Sequence, residues 1–275
     1  MMSGAKSGQV PINGTTMDYV SFGSGEKTLI MLPGLGDGLT TVKGMALVLS
    51  FLYHRYTRNH SVYLFSRRNN LPEGCSTRDM ARDQAQVMET LGLTNANVIG
   101  ISQGGMIAQY LAIDHPDLVR RLVLAVTLAK QNETIQKAVS GWMRMARQGD
   151  YRGLMIDTAE KSYSEKYLKK YRHFYPFLGL FGKPNDFGRF LIQAGSCLHH
   201  DTSAELETIG CPTLVIGGGQ DQIVGPKASM ELADRIPNSE LFLYQDLGHA
   251  LYEEAKDFPE RVLRFLEAPV SKSVL

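Results

Sequence analysis

The residues able to do chemistry in this 275-residue chain sit in three short stretches far apart in sequence. Gly100-Ile101-Ser102-Gln103-Gly104 fits G-x-S-x-G, Gly219-Gln220-Asp221 supplies a carboxylate, and Gly248-His249 supplies an imidazole. A serine hydroxyl is a poor nucleophile until a base takes its proton, and that base must be oriented by a third group. Asp246, near His249 in sequence, and Glu133 are rival acids for that third role.

The elements around these residues decide whether they meet. Val98, Ile99 and Ile101 form a short apolar strand, and Met106, Ile107, Tyr110 and Leu111 recur at helical spacing after the serine. A serine on so tight a strand-to-helix turn takes a strained backbone and presents its hydroxyl outward. Glycines on either side lack the Cβ atoms that would collide there. The helix start also aims free N–H groups and its positive dipole end at the same spot. The plainer alternative is a glycine-rich turn that packs closely and does nothing else.

Pro212–Ile216 reads as a buried strand running into the loop that carries Asp221, and Glu240–Tyr244 as one running into the loop that carries His249. Strands of a parallel sheet end at one edge, so Ser102, Asp221 and His249 are expected to converge there, beside a ligand crevice.

The remaining chain supplies the sheet. Asn13-Gly14 between Val10–Ile12 and Thr16–Phe22 signals a hairpin. Thr28–Leu32, Ser61–Phe65 and Arg121–Thr127 read as buried strands. Helices are expected over about Thr41–Tyr53, from an N-cap at Thr77 to Gly92, near Pro226–Arg235 and near Phe258–Leu266. Between about Leu128 and Asp201 only amphipathic helices fit: Asn132–Gln148, Tyr151–Ser162, Ser164–Tyr175 and Phe187–His199. The expected fold class is α/β, a mostly parallel central sheet with helices on both faces and an all-helical insertion. The expected division is a core over 1–128, the insertion over 129–201, and the core again over 202–275.

Composition removes several function classes. A net charge of +1 offers no electrostatic argument for nucleic acid, a membrane or an acidic partner. Cys75, Cys197 and Cys211 are odd in number and far apart, fitting neither a disulfide framework nor a zinc cluster. Cys75 and Cys197 read as structural or incidental, and the three cysteines together with a polar N-terminus lacking a signal-peptide core point to the cytoplasm. Met45–Tyr53 is apolar but too short to span a bilayer. His199 and His200 read as cations closing the last inserted helix, which suits the helix dipole, with the pocket mouth as their other possible place. Oligomeric state is not legible.

Taken in order, Gly100–Gly104, Gly219-Gln220-Asp221 and Gly248-His249 resemble the α/β-hydrolase superfamily, whose chain order is Ser…Asp/Glu…His. The resemblance is to its capped serine-hydrolase branch (esterase- or lactonase-like) and covers nearly the whole chain, the insertion standing as the cap. It implies Ser102 as nucleophile, His249 as general base and acid, and Asp221 as the group orienting His249. It implies an oxyanion hole from the backbone N–H groups of Gln103 and Leu35, and no cofactor or metal. The chain departs from the family at Pro33-Gly34, where many relatives carry His-Gly. It departs again over Ser66–Ser76, which replaces an Asp-x-x-Gly-x-Gly-x-Ser pattern.

The activity implied is hydrolysis of a small ester, thioester or lactone through an acyl-enzyme. Carbon–carbon bond hydrolysis, acyl transfer and perhydrolysis use the same residues, and a low-turnover ligand sensor would keep them as well. Dehalogenase and epoxide-hydrolase branches place Asp at the position of Ser102 and resemble the chain less. The insertion is rich in Trp142, Met143, Met145, Met155, Tyr163, Tyr167, Tyr171, Phe174, Tyr175, Phe177, Phe181, Phe187 and Phe190. Such a lining over the catalytic edge suits a small apolar acyl or aromatic substrate. Lys161, Lys166, Lys169, Lys170 and Arg172 form either a solvated face or a handle for a substrate carboxylate.

Overall fold

The hairpin at the start of the chain closes through Asn13 and Gly14, both at positive φ (45° and 75°), the conformation a two-residue primed turn demands. It joins β1 (Lys6–Ile12) to β2 (Thr15–Phe22). The structure, a computed structural model, describes residues 4–180 and 182–269; the opening Met1–Ser3 and the inserted Phe181 lie outside them.

The other strands are β3 (Lys27–Leu32), β4 (His60–Arg68), β5 (Ala96–Ile101), β6 (Val119–Ala125), β7 (Thr213–Gly218) and β8 (Ser239–Tyr244). Together they form an eight-stranded sheet in the order β1-β2-β4-β3-β5-β6-β7-β8. β1–β2 and β2–β4 pair antiparallel, and every later pair is parallel. Strands β5 and β7 are buried at every residue, as expected where helices cover both faces of a parallel sheet. One face packs on α2 (Thr77–Thr90), α3 (Gln103–Asp114) and α8 (Ala228–Arg235). The other packs on α1 (Ala46–Leu52) and α10 (Phe258–Glu267).

Between β6 and β7 come α4 (Glu133–Arg147), α5 (Tyr151–Ser162), α6 (Glu165–Tyr171) and α7 (Gly188–Leu198). The chain leaves and re-enters the sheet layer side by side. Lys130 bridges Asp201, Gln131 N–H donates to the His200 carbonyl, and Thr202 N–H donates to the Ala129 carbonyl. A third apolar cluster, built on Trp142, Leu154, Phe190 and Ala194, joins α4, α5 and α7 and meets the core at Met106 and Val224.

Three expected boundaries move for physical reasons. The helix over Thr41–Tyr53 begins only at Ala46, because Gly44 sits at φ 75°. Helix α2 is capped by Ser76 rather than Thr77: Ser76 Oγ accepts from Asp79 N–H while the Asp79 carboxylate accepts from Ser76 N–H. The helix over Ser164–Tyr175 ends at Tyr171 and tightens into a 3₁₀ segment that contains Pro176. A one-turn helix, α9 (Leu251–Glu254), was not anticipated.

Candidate active site

Strand β5 ends at Ile101 and α3 starts at Gln103, so the whole turn falls on Ser102, at φ 54° and ψ −119°. That backbone region is costly for any residue with a Cβ and persists only where its surroundings hold it. They do so through Ser102 N–H, which donates to the Ala125 carbonyl at 2.9 Å, and Ser102 C=O, which accepts from Gly105 and Met106. The flanking glycines are there for space. A Cβ on Gly100 would lie 2.6 Å from both Gly104 O and Gly105 Cα, and one on Gly104 would run into the Leu32 carbonyl.

Asp221 sits in the loop after β7 and His249 in the loop after β8, both buried. His249 Nδ1 donates to Asp221 Oδ2 at 2.8 Å, which leaves Nε2 to accept from the Ser102 hydroxyl at 2.9 Å. Asp221 Oδ1 accepts from Ile223 N–H (2.8 Å) and Val224 N–H (3.0 Å), so the carboxylate cannot swing away. The loop that carries His249 is tied to the insertion, because Ala250 N–H donates to Ser162 C=O. The rival acids stand apart: Asp246 and Glu133 are exposed, and neither bonds to His249.

The N–H groups of Leu35 and Gln103 have no acceptor among the described residues. Both residues flank Ser102: Leu35 lines the same cavity, and Gln103 opens α3. Such a pair suits a developing oxyanion.

Ser102 and His249 open onto a cavity of about 360 Å³, whose lining includes Met106, Val139, Trp142 and Ile223. Beside it lies a second compartment of about 260 Å³, lined by Leu39, Tyr151, Leu154, Met155 and Phe190, which shares Leu35, Gly36, Trp142 and Thr158 with the first. Of the aromatics and methionines expected over the site, Trp142, Met155 and Phe190 face these spaces, joined by Tyr151, while Phe174 and Phe177 are exposed. Cys197 lines the first cavity with its thiol pushed up to about 12 by burial, so it stays protonated. Among the described residues no cluster of His, Cys, Asp and Glu is arranged to hold a metal ion.

The departing loop after β4 has a physical counterpart that the sequence did not disclose. Arg67 is buried, with its guanidinium donating to the Pro33 carbonyl and to Gln103 Oε1. Its backbone N–H donates to Asp37 Oδ2 at 3.0 Å. The same Asp37 oxygen pairs with Arg189 at 2.6 Å and accepts from Gln193 at 3.2 Å, both on α7. Gln103 Nε2 donates to Gln193 C=O at 2.8 Å. One polar network therefore joins the Leu35 loop, the start of α3 and the insertion. Burial lowers the Arg67 pKa to about 10, with the Asp37 carboxylate opposing that fall. Arg67→Met is expected to cost about 2–6 kcal/mol in urea unfolding, because two buried acceptors lose their donor at about 1–3 kcal/mol each. It should also lower turnover.

His200 corrects an expectation. It is 1% exposed rather than a solvated cation, and burial lowers its pKa to about 4. Its Nδ1 bonds the Thr77 hydroxyl at 2.9 Å, and its ring meets Tyr110 edge-on. Below its ordinary value of 6.5 the unfolded chain takes up a proton that the folded chain refuses until about pH 4. Its contribution is therefore present above pH 6.5 and lost as pH falls to 4. At roughly 1.4 kcal/mol per pH unit, wild type should lose about 3 kcal/mol more than His200→Asn across that window, read from urea midpoints. His199 is exposed and bonds Gly195 C=O. Neither histidine lines the cavity.

A sequence profile of the α/β hydrolase fold matches residues 27–256. The chain belongs to the α/β-hydrolase fold family. It is 25% identical over 253 residues to the 2-hydroxy-6-oxononadienedioate/2-hydroxy-6-oxononatrienedioate hydrolase of a Pseudomonas species, covering 89% of each chain. Among solved structures, an α/β hydrolase enzyme from a Medee basin deep-sea metagenome library superposes with a TM-score of 0.84 at 22% identity, covering 98% of this chain and 100% of that one. The enol-lactonase of Burkholderia xenovorans superposes with a TM-score of 0.79 at 22% identity, covering 95% and 100%. Among the described residues no helix is long and apolar enough to cross a membrane.

Proposed function

We propose that this protein is a serine hydrolase that cleaves a small ester, thioester or lactone with an apolar acyl or aromatic part, through an acyl-enzyme, beneath a helical cap formed by residues 129–201. The observation that carries the reading is the continuous hydrogen-bond chain from Asp221 through His249 to the Ser102 hydroxyl, at 2.8 and 2.9 Å, opening onto a largely apolar cavity.

In this mechanism Ser102 Oγ attacks the substrate carbonyl carbon as its proton passes to His249 Nε2. Asp221 holds the imidazole with Nε2 toward the serine and stabilises the imidazolium. The oxyanion gathers the N–H groups of Leu35 and Gln103, each worth about 2.7–4 kcal/mol toward the charged intermediate. His249 then protonates the leaving alcohol, thiol or lactone oxygen. Water, deprotonated by the same imidazole, attacks the acyl carbon and releases the acid and free Ser102. The second compartment gives an alkyl or aryl group a place beside Leu35. The name of the Pseudomonas relative, a hydrolase of a 2-hydroxy-6-oxo compound, agrees with a carbonyl substrate. The cytoplasm is the compartment that suits three unpaired cysteines.

The test is a screen of p-nitrophenyl esters of increasing acyl length together with labelling by a fluorophosphonate probe. Labelling is expected on the peptide that contains Ser102. Tight, saturable ligand binding with neither labelling nor turnover would replace the enzyme with a sensor of the same fold.

A further inference from the structure

Among the described residues that line the Ser102 cavity and the adjoining compartment, the only Asp, Glu, His, Lys or Arg side chains are Asp37, His249 and Glu253, with no Lys or Arg. The Asp37 charge is answered by Arg189, Arg67 N–H and Gln193. Glu253, on α9 just past His249, has no ion-pair partner among the described residues and accepts only from the neutral Tyr163 hydroxyl. Its field reaches the lining. The Tyr53 phenol is pushed up to about 12 by burial first and by the Glu253 charge next. Tyr252 is raised well above the ordinary phenol value by the same two causes in the same order.

The basic residues of the insertion are engaged elsewhere. Lys161 pairs with Asp157, and Arg172 pairs with Glu160 and Glu165. Lys166 borders a different, outward-facing groove, and neither Lys169 nor Lys170 lines the cavity. No cation is therefore in place to receive a carboxylate, and one fixed anion is in place to oppose it. A carboxylate that enters loses its hydration with nothing to replace it, and it meets a like charge at the exposed end of the lining, where salt can screen the repulsion.

We propose that this site selects substrates whose acyl and leaving groups are uncharged, and that Glu253 enforces the selection by repelling ligands that carry a second, ionised carboxylate. The proposal rests on the hydrolase reading for its choice of ester ligands, and its test does not need turnover. Trp142 is the single tryptophan of the chain and lines both compartments, so its fluorescence reports binding directly. In the Ser102→Ala protein, methyl hexanoate and monomethyl adipate are titrated at low and high salt. They match in carbon count and differ by one ionised carboxylate.

Methyl hexanoate is expected to bind at least tenfold more tightly at low salt. Glu253→Gln should narrow that ratio several-fold and Glu253→Lys should narrow it further, with the effect shrinking in high salt. Glu253 lies at the surface, so both variants are expected to fold. Equal binding of the two esters, a ratio unmoved by Glu253→Gln, or binding of neither ester overturns the proposal. Failure of Ser102-dependent hydrolysis of methyl hexanoate by wild type would instead remove the hydrolase reading and leave the binding ratio to stand on its own.

Discussion

Ser102→Ala is expected to lower kcat for a p-nitrophenyl ester by about a million-fold, the scale seen when a catalytic serine is removed from a cooperating set. It should also abolish fluorophosphonate labelling. Thermal unfolding should show that the fold survives, because the Ser102 amide bonds to Ala125 and its carbonyl bonds to Gly105 and Met106 are backbone contacts that alanine keeps. Retained turnover or labelling would end the nucleophile assignment. A companion variant separates chemistry from strain. Ser102→Gly also lacks the hydroxyl but accepts φ 54° and ψ −119° without a Cβ penalty. It should be more stable than Ser102→Ala by about 1 kcal/mol, the relief of strain less the entropy that glycine loses on folding.

Gly104→Ala is expected to damage both stability and turnover severely. Its Cβ would overlap the Leu32 carbonyl and lie 2.7 Å from Pro33 O. Both are backbone atoms at the end of β3, where no side chain can turn aside. The expected cost is at least about 3 kcal/mol, the upper part of the overpacking range, with turnover lost as α3 is pushed off the Leu35 loop. Gly141 gives the contrast: it lies in α4, and a Cβ there meets nothing within 4 Å. Gly141→Ala should stabilise by about 0.5–1 kcal/mol through helix propensity alone. Urea midpoints of the two variants measured side by side check both signs.

Much of the architecture could be read from local pattern because the physics involved is local. Continuous apolar runs such as Thr28–Leu32 mark strands covered on both faces, and Asn13-Gly14 marks the turn that only positive φ permits. Ser102, Asp221 and His249 could be gathered on one edge because strand direction in a parallel sheet is shared. What escaped was long-range or decided by one neighbour. Ser76 and Thr77 are both plausible caps, and the choice falls to Ser76 because Thr77 turns inward to His200. His200 looked like a helix-end cation because its burial against Tyr110 depends on a distant helix. Arg67 was visible only as a departure from pattern; its partners at positions 33, 37 and 103 are brought together by the sheet. Glu253 carried no signal, since a lone acidic residue on a short helix reads as solvated surface.

The Arg67–Asp37–Arg189–Gln193 network has a bearing on protein engineering. Transplanting a foreign helical insertion onto this scaffold would delete Arg189 and Gln193 and leave the buried Asp37 carboxylate without its two α7 partners. A chimera would therefore need those two residues carried across as a pair, or Asp37 neutralised to Asn in the same step. Substrate range in this scaffold is better altered by resurfacing the compartment at Met155 and Leu154 than by exchanging modules.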